Sequence, residues 1–447
     1  MAIKINLLLA YYGDDFTGST DALEFLSRAG AKTALFIEPP TEMQLAKYPH
    51  LDAIGVAGNT RSLSPGKMEE VLVPAFNALN SLGARHVHYK VCSTFDSSPK
   101  VGSIGRAIDV GADIFKNRFV PLLVAAPALG RYCLFGNLFA RMGIGSSGEI
   151  YRIDRHPSMS KHPVTPADES DLRLHLSRQT DKKTGLVDIL QIEKSQDALN
   201  ELVDKLVAEN SEVILIDALE EQQLFTIGTL LDKEVENGGS LFSVGSSGIE
   251  MALGKYWESK QVLKPVDHWP NPGKAAPMLV ISGSCSPVSV AQIAWAKANG
   301  FEEVVLDALA ICTEADDSSI IESATEKTVD FLLQNKNVIV HTNGGTGAIG
   351  SNLSSEKLGG ALGWIARIVV EKTSIKRVVV AGGDTSSYAA RAMGIEAVEM
   401  IAPLVTGAPL CKATAPGSSL DGVEVNFKGG QVGGDNYFGI LLEGRML

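Results

Sequence analysis

The stretch Tyr11-Tyr12-Gly13-Asp14-Asp15-Phe16-Thr17-Gly18-Ser19-Thr20-Asp21 decides the fold of the first half of the chain. It follows a mainly apolar run at residues 3–10, which predicts a buried strand, and precedes residues 22–30, whose apolar positions recur at helical spacing. A strand, a polar loop and a helix in this order predict an α/β unit, in which ligands bind at the carboxyl edge of the sheet. Two adjacent carboxylates are therefore expected where a ligand binds.

This acid pair, Asp14 and Asp15, has two interpretations. Two acids beside Thr17 and Gly18 can orient hydroxyl groups or hold a cation. Aspartate is also a preferred helix cap, so the pair could serve only to start the helix. Because one aspartate with a neighbouring serine or threonine suffices for a cap, the pair favours chemistry.

The composition limits the classes of function. The chain has 447 residues, of which 45% are hydrophobic and 21% charged, as is typical of a soluble globular enzyme of two or three domains. Its formal net charge of −12 argues against a nucleic-acid partner, because phosphate backbones are bound by basic patches. Five cysteines without a CxxC pair indicate a reducing compartment, and no apolar run has the length of a membrane span. We expect a cytoplasmic protein without a membrane partner.

Four predicted strands of the first half end in polar loops, which would gather at one edge of a parallel sheet. These loops carry three cations and three acids: Arg61, Lys90, Arg131, Asp14, Asp15 and Asp96. Cations suit a carboxylate and acids suit hydroxyl groups, so the loops predict binding of a small polyhydroxy acid. The alternative is a solvated surface with scattered ion pairs.

A proline-rich segment at residues 265–274 predicts a linker between domains at residues 1–264 and 275–447. The second domain has Gly/Ser/Thr loops at strand ends, and Lys428 directly precedes the last of them. Such loops offer free backbone N–H groups, and those that open a helix add its positive dipole end. They predict phosphate binding, although each by itself is also a common tight turn.

Two nucleotide-binding fingerprints can be tested directly. No Walker A loop is present, because Gly254-Lys255 lacks the upstream glycine and is followed by Tyr256. Residues 345–350 match G-x-G-x-x-G, but no acid follows an evident second strand. This match keeps an NAD-dependent hydroxy-acid dehydrogenase as an alternative. A non-catalytic nucleotide or sugar-acid sensor is a second alternative.

Several motifs in a fixed order make the chain resemble the four-carbon acid sugar kinase family nearly end to end. They are Asp14-Asp15-Phe16-Thr17-Gly18, Tyr89-Lys90-Val91-Cys92-Ser93-Thr94-Phe95-Asp96-Ser97, Pro127-Ala128 with Gly130-Arg131, His162-Pro163-Val164-Thr165-Pro166, Gly283-Ser284-Cys285-Ser286, Gly382-Gly383-Asp384-Thr385-Ser386 and the terminal glycine loop. The resemblance implies two α/β domains with mainly parallel sheets and an interdomain active-site cleft, the first domain binding the acid sugar and the second the nucleotide. It implies an ATP-dependent kinase that phosphorylates a terminal hydroxyl of a small sugar acid such as threonate, erythronate, 3-oxo-tetronate or oxo-isoapionate.

The resemblance also assigns site residues. It implies Asp15 or Asp96 as the catalytic carboxylate that orients the reacting hydroxyl and accepts its proton. It implies a substrate site of Asp14, Asp15, Arg61, Lys90, Ser93 and Asp96. It implies a nucleotide site of Ser284, Ser286, Gly382, Gly383, Asp384, Thr385, Gly430 and Gly433. The expected cofactors are ATP and Mg²⁺, the ion bridging the phosphates with no protein metal ligand assigned. The expected partners are the sugar acid and ATP, with a homodimer as a candidate assembly.

One motif departs from the family. Where the family usually has Lys-Ser-Gly-Asn-Phe-Gly, this chain has Lys428-Gly429-Gly430-Gln431-Val432-Gly433. The glycines are kept, so a phosphate can still approach the backbone. The other changes indicate a subgroup, whose substrate could be a branched or oxidised acid such as an oxo-isoapionate.

Overall fold

The computed structural model describes residues 6–142, 148–235, 239–313, 317–342 and 353–445. The fold is α/β with mostly parallel strands, which confirms the predicted class. It forms two compact units: unit 1 comprises Met1–Thr33 and Pro39–Asp267, and unit 2 comprises Ala34–Glu38 and His268–Leu447. The glycine fingerprint at residues 345–350 lies outside the described residues.

The elements are numbered in chain order. The strands are β1 (Leu9–Gly13), β2 (Thr33–Phe36), β3 (Ala53–Ala57), β4 (His86–Lys90), β5 (Val120–Leu123), β6 (Arg131–Leu134), β7 (Asn137–Arg141), β8 (Ile150–Arg152), β9 (Thr184–Val187), β10 (Val213–Ile216), β11 (Leu241–Gly245), β12 (Leu279–Ser282), β13 (Phe301–Val305), β14 (Asn337–His341), β15 (Arg377–Ala381), β16 (Ala397–Ala402), β17 (Leu410–Thr414) and β18 (Glu424–Lys428). The α-helices are α1 (Phe16–Arg28), α2 (Glu42–Leu45), α3 (Pro65–Ser81), α4 (Ile104–Phe115), α5 (Leu172–Leu176), α6 (Ile189–Ile192), α7 (Gln196–Ala208), α8 (Glu221–Val235), α9 (Gly248–Ser259), α10 (Pro287–Ala298), α11 (Ala308–Thr313), α12 (Ser318–Leu333), α13 (Ser355–Thr373), α14 (Gly383–Ala392) and α15 (Tyr437–Glu443). Short 3₁₀ turns lie at Thr60–Ser62, Pro127–Leu129, Ile153–Arg155 and Met159–Lys161.

Unit 1 is built on a parallel sheet in the order β3-β1-β4-β11-β5-β10-β9. Its central strands are buried along their whole length, because helices cover both faces. The register pairs Gly13 with both Ala57 and Lys90, and Lys90 with Gly245. The strands β3, β1, β4 and β11 therefore end level, and the loops that follow them emerge at one edge.

A small antiparallel sheet of β6, β7 and β8 follows β5 in unit 1. The buried Asp217 carboxylate accepts backbone N–H bonds from Gly136 (3.1 Å) and Ile189 (3.2 Å), which fixes the β6–β7 turn to the end of β10. Burial raises the pKa of Asp217 to about 6.

Unit 2 contains a parallel group of strands in the order β13-β14-β12-β15-β18. The antiparallel strands β17, β16 and β2 continue from β18. Ser282 pairs with Ala381, and Ala381 pairs with Lys428. The strands β12, β15 and β18 therefore also end level, which brings three glycine- and serine-containing loops to one edge.

The segment Ala34–Glu38 belongs to unit 2 although it lies near the start of the chain. Its residues Ala34 to Phe36 pair antiparallel with β16, and the Ile37 N–H donates to Glu396 O at 3.0 Å. The chain returns to unit 1 at Pro39 and enters unit 2 again at His268, within the proline-rich segment expected to link the domains. The expected domain limits of 1–264 and 275–447 took no account of the early segment, and they stay a prediction.

Within the described part of the chain, the helices are too short or too polar to cross a lipid bilayer.

A buried ion pair links the starts of β15 and β18 in unit 2, and breaking it is expected to destabilise that unit. Arg377, fully buried at the start of β15, donates to Glu424 at 2.8 Å and to the backbone oxygen of Leu441. We expect Arg377→Met to lower the free energy of unfolding by about 3–5 kcal/mol, because Glu424 is left without its buried partner. Urea denaturation measures this change.

Lys376→Met provides the matched control. Lys376 contacts the same Glu424 at 3.1 Å, but its side chain is 56% exposed. Its loss should cost no more than about 1 kcal/mol. Equal losses for the two variants would contradict the role assigned to the buried pair.

Candidate functional site

Asp14 and Asp15 have different structural roles. Asp15 caps α1, accepting the Gly18 N–H at 2.7 Å, so the helix begins six residues before the predicted periodic stretch. Asp14 follows β1, is buried and does not cap the helix. Both acids bind Arg61, whose guanidinium donates to Asp14 at 2.7 and 3.0 Å and to Asp15 at 2.7 Å. Helix capping therefore explains the presence of Asp15 but not that of Asp14, which remains a candidate for ligand binding.

Charge and burial act against each other in this cluster. Burial raises the pKa of Asp14, against the opposing effect of the Arg61 charge. Burial also lowers the pKa of Arg61, but the charges of Asp14 and Asp15 outweigh it and hold that pKa well above its ordinary value. Arg61 is therefore a permanent cation bound to two acids, of which Asp15 is the more accessible, with its side chain 20% exposed against 3% for Asp14.

Lys90, at the end of β4, joins the cluster from the neighbouring strand. Its Nζ donates to Val91 O at 3.0 Å and lies 3.6 Å from Asp21 Oδ2 on α1. Asp21 in turn accepts a short hydrogen bond from the hydroxyl of Ser247, just beyond β11. Burial raises the pKa of Asp21, which the Lys90 charge opposes.

Gly18 lies close to Asp15 and to both cations, and a Cβ added to it would lie 2.7 Å from Asp15 Oδ1. A Cβ added to Gly18 would lie 3.3 Å from Lys90 Nζ and 3.7 Å from Arg61 Nη2. Two buried oxygens nearby in the sequence, Thr17 Oγ1 and Asp21 Oδ1, have no hydrogen-bond partner. Because buried polar atoms in proteins are almost always paired, these atoms are candidates to bind a polar ligand.

Asp96 lies on the loop after β4. Cys92 lies on the same loop, where the charges of Asp96 and Arg61 both affect its pKa. Burial and the Asp96 charge raise the pKa of Cys92 to about 11, so this thiol is neutral at pH 7. The Asp96 Oδ1 atom is buried without a hydrogen-bond partner. The loop is fixed by Ser97, whose hydroxyl accepts from Gln179 at 3.0 Å. Asp96 therefore lies on a fixed loop with one carboxylate oxygen available to accept a hydrogen bond. Ser93 is buried on the same loop.

A serine cluster organises the carboxyl edge of the unit 2 sheet. Ser286 caps α10 and donates a short hydrogen bond to Gly430 O, while Ser289 Oγ donates to Ser284 Oγ at 2.9 Å. These bonds join the loop after β12 to the loop after β18. The two loops are thereby held side by side.

The loop after β15 lies beside this cluster. Gly382 donates its N–H to Lys428 O at 2.8 Å and has a φ of 125°, which favours glycine. The helix α14 begins at the next residue, and its first-turn N–H groups have no intrahelical partners. Thr385 is buried in that turn, whereas Asp384 is exposed. The end of α14 is suited to an anion.

Two family models match this chain. A family model described as a sugar-binding N-terminal domain matches residues 9–253, and one described as a nucleotide-binding C-terminal domain matches residues 279–438. The chain is 42% identical to the 3-oxo-isoapionate kinase of Paraburkholderia graminis, over 98% of this chain and 95% of that protein. The chain belongs to the four-carbon acid sugar kinase family.

More distant relatives extend the comparison. A 3-oxo-tetronate kinase of Methylobacterium radiotolerans is 27% identical over 98% of this chain and 99% of its own. A solved structure from Salmonella typhimurium, named there as a tRNA synthase, has a TM-score of 0.76 at 24% identity and covers 98% of both chains. At that identity the structural likeness concerns the fold alone.

Within this four-carbon acid sugar kinase, the structure places the predicted site residues in two groups. Asp14, Asp15 and Arg61 are joined by side-chain hydrogen bonds. Lys90 is joined to Asp14 through the backbone, its carbonyl oxygen accepting the Asp14 N–H at 2.8 Å. Ser93 and Asp96 follow on the loop after Lys90. The predicted nucleotide residues fall on three loops at the unit 2 edge, and Gly433 lies in the last, with a φ of 83°. The binding and catalytic roles of both groups stay predictions.

Sequence reasoning missed several residues that hold these loops. Gln292 on α10 is fully buried, and its amide donates to Val432 O and Gly434 O at 3.0 Å each, which fixes the terminal glycine loop. Ser289 and Asp21 likewise received no role. Ser289 and Gln292 lie three and six residues after the Ser286 cap, so their helical spacing was a usable signal.

Lys428 is the last residue of β18 and directly precedes the terminal glycine loop. It is fully buried, and its Nζ lies 3.5 Å from Ser289 Oγ and 5.4 Å from the Tyr437 ring. Burial lowers the pKa of Lys428 to about 8. Among the residues with described positions, no carboxylate forms a salt bridge with it. It is a buried cation beside loops suited to anions.

Proposed function

We propose that this chain is an ATP-dependent kinase that phosphorylates a terminal hydroxyl of a small sugar acid, with 3-oxo-isoapionate as the first candidate substrate. The 42% identity to a 3-oxo-isoapionate kinase, against 27% to a 3-oxo-tetronate kinase, supports this order of candidates. One observation carries the proposal: acids and cations meet at the carboxyl ends of β1 and β4 in unit 1, and glycine- and serine-containing loops suited to anions meet at the carboxyl ends of β12, β15 and β18 in unit 2.

The acid side supplies groups for orienting the substrate and accepting a proton. Asp15 is the accessible member of the acid pair, and Asp96 has a buried oxygen free to accept a hydroxyl. Either carboxylate would align the reacting hydroxyl and take its proton as the new P–O bond forms. Arg61 holds Asp14 and Asp15 in place, which fixes the geometry before the substrate binds.

The second group of loops supplies donors for the phosphates. Backbone N–H groups around Ser284, Gly383 and Gly430, with the first turn of α14, would bind the phosphate oxygens. Lys428 would add a buried positive charge. These groups stabilise charge as it shifts toward the leaving phosphate. Transfer further requires the bound acid and the γ-phosphate to meet during turnover.

Mg²⁺ fits this site as a companion of ATP. The described residues contain no group of three or more acidic, histidine or cysteine side chains placed to hold a metal. Mg²⁺ in kinases is held by phosphates, water and one or two carboxylates, and the exposed Asp384 is a candidate carboxylate at the nucleotide loops. When bound, the ion would neutralise phosphate charge.

An ADP-release screen tests the proposed function. The full chain would be incubated with ATP–Mg²⁺ and each of 3-oxo-isoapionate, 3-oxo-tetronates, threonate and erythronate, with a no-acid control. We expect acid-dependent ADP release and a phosphorylated acid by mass spectrometry. Binding of the nucleotide without release for any acid would instead support the sensor alternative. Reduction of NAD(P) by a hydroxy acid would support the dehydrogenase.

Lys428 predicts a pH dependence of nucleotide binding. Its pKa is about 8, so the side chain is charged below that pH and loses its charge as the pH rises through it. We expect the Kd for ATP to rise by about tenfold between pH 7 and pH 9, because only the charged form attracts phosphate. Calorimetric titration at several pH values measures this change.

Variants of Lys428 separate its titration from that of ATP. Lys428→Arg should bind ATP with little change over the same pH range, since arginine stays charged. Lys428→Met should bind weakly throughout. Lys376→Met, which alters an exposed lysine, should behave as the wild type. An unaltered pH dependence in Lys428→Arg would contradict the assignment.

The reaction is proposed to take place in the cytoplasm, which the five free cysteines support. The proposed partners are the sugar acid and ATP, and a homodimer stays a prediction.

A further inference from the structure

The charges of Arg61 and Lys90 are already matched by the protein. Arg61 binds two carboxylates through three hydrogen bonds, and Lys90 lies 3.6 Å from Asp21. A substrate carboxylate at either cation would also meet the neighbouring acids. The cluster is therefore better suited to hydroxyl groups than to the anionic end of a sugar acid.

Arg131 differs from both in having no acidic partner. It is only 6% exposed, and its Nη1 donates to the backbone oxygens of Leu129 (3.0 Å) and Arg141 (3.2 Å). Its Nε is buried with no hydrogen-bond partner. No carboxylate in the described ranges lies within the 4.0 Å of a salt bridge to it. A buried guanidinium without a counter-charge is costly unless an anion joins it.

The backbone places Arg131 at the edge that carries the acids. Arg131 forms a two-way backbone pairing with Ala126, three residues beyond the end of β5. The strand β5 pairs parallel with β11, which pairs parallel with β4. Burial lowers the pKa of Arg131, and Cys92, Asp21 and Asp96 oppose this in that order, so both acids lie within its electrostatic reach. The Cys92 thiol has its pKa raised to about 11 by burial, so it is neutral at pH 7 and provides no counter-charge there.

We propose that Arg131 binds the carboxylate of the sugar acid and so makes this site select acids over neutral sugars. The inference rests on the proposed function, in that the ligand is taken to be a sugar acid. A guanidinium presents paired donors that match a carboxylate, and such charge-assisted bonds are stronger than neutral ones. The ligand would then extend from Arg131 toward the unpaired oxygens of Asp96 and Asp21, which accept its hydroxyl groups.

Binding of acids and of their amides tests this inference. The amide keeps the shape and hydroxyl groups of the acid but lacks its charge. Calorimetry on the full chain would compare threonate, erythronate and 3-oxo-isoapionate with the primary amide of each. We expect the wild type to bind at least one acid about 30-fold or more tightly than its amide, and Arg131→Gln to reduce this preference to about threefold or less. Arg131→Lys should restore part of it.

A control variant in the same hairpin and a binding assay without turnover separate the possible outcomes. Arg141→Gln alters the same hairpin, where Arg141 bonds Gly148 O at 2.7 Å, and should keep the wild-type preference. A wild type without acid preference, or an Arg131→Gln variant that keeps it or loses acid and amide binding equally, overturns the inference. Binding is measured without turnover, so a preference that depends on Arg131 supports the inference even if no ADP is released. That absence of release would count against the proposed function alone.

Discussion

Replacing Asp15 with asparagine is expected to lower kcat by about 10²-fold or more, because an amide cannot accept the proton of the reacting hydroxyl. The helix start should survive, since asparagine caps helices as well as aspartate does. Arg61 also keeps its two bonds to Asp14. Steady-state ADP release with the acid substrate measures kcat, and calorimetry should give a Kd for ATP within about twofold of the wild type.

Asp188→Asn is the matched control, because Asp188 caps α6 in the same unit through the N–H groups of Leu190 and Gln191. It should leave kcat unchanged. Asp96→Asn distinguishes the two candidate acids. Unchanged turnover in Asp15→Asn, together with a loss in Asp96→Asn, would transfer the proton-accepting role to Asp96.

Replacing Gly383 with valine is expected to weaken ATP binding by about 10²-fold or more. Gly383 is the first residue of α14, whose free N–H groups and dipole favour an anion. A branched side chain there would occupy the approach of a phosphate to the backbone. Calorimetric titration with ATP–Mg²⁺ measures the change in Kd.

Gly360→Val is the control for this substitution. Gly360 also lies in a helix of unit 2, and a Cβ added to it would meet nothing within 4 Å. This variant should bind ATP as the wild type does. Near-normal affinity in Gly383→Val would show that the first turn of α14 does not hold the phosphates.

The buried parallel strands could be predicted from the sequence because they are short, continuous apolar runs. The strands β3, β10 and β15 are runs of this kind, and each is buried along its whole length. The start of α1 was predicted too late, because the polar residues between Asp15 and Ala22 interrupt the apolar pattern. In the structure, several of these polar side chains are buried against the site.

Other elements left no local signal. The strands β6 to β8 are short and half exposed, so they carry no apolar run. Pairing of Ala34–Phe36 with β16 joins positions more than 350 residues apart, and local patterns do not report such contacts.

The site was predicted as a set of residue types but not as a set of roles. Arg61 and Arg131 both follow predicted strands and are equivalent in the sequence. Only the structure distinguishes them. Arg61 binds two carboxylates, whereas Arg131 binds no carboxylate among the described residues. Which acids each arginine contacts depends on side-chain distances across three strands. No spacing in the sequence encodes those distances.

The early segment of unit 2 has a consequence for how this protein can be divided. A fragment that starts at His268 lacks Ala34–Glu38, so β16 would be left as an open edge with unpaired N–H and C=O groups. Such edges invite pairing with other chains. A gene segment that encodes only residues 268–447 therefore does not encode all of unit 2. We expect a protein that receives this segment alone by recombination to aggregate more readily.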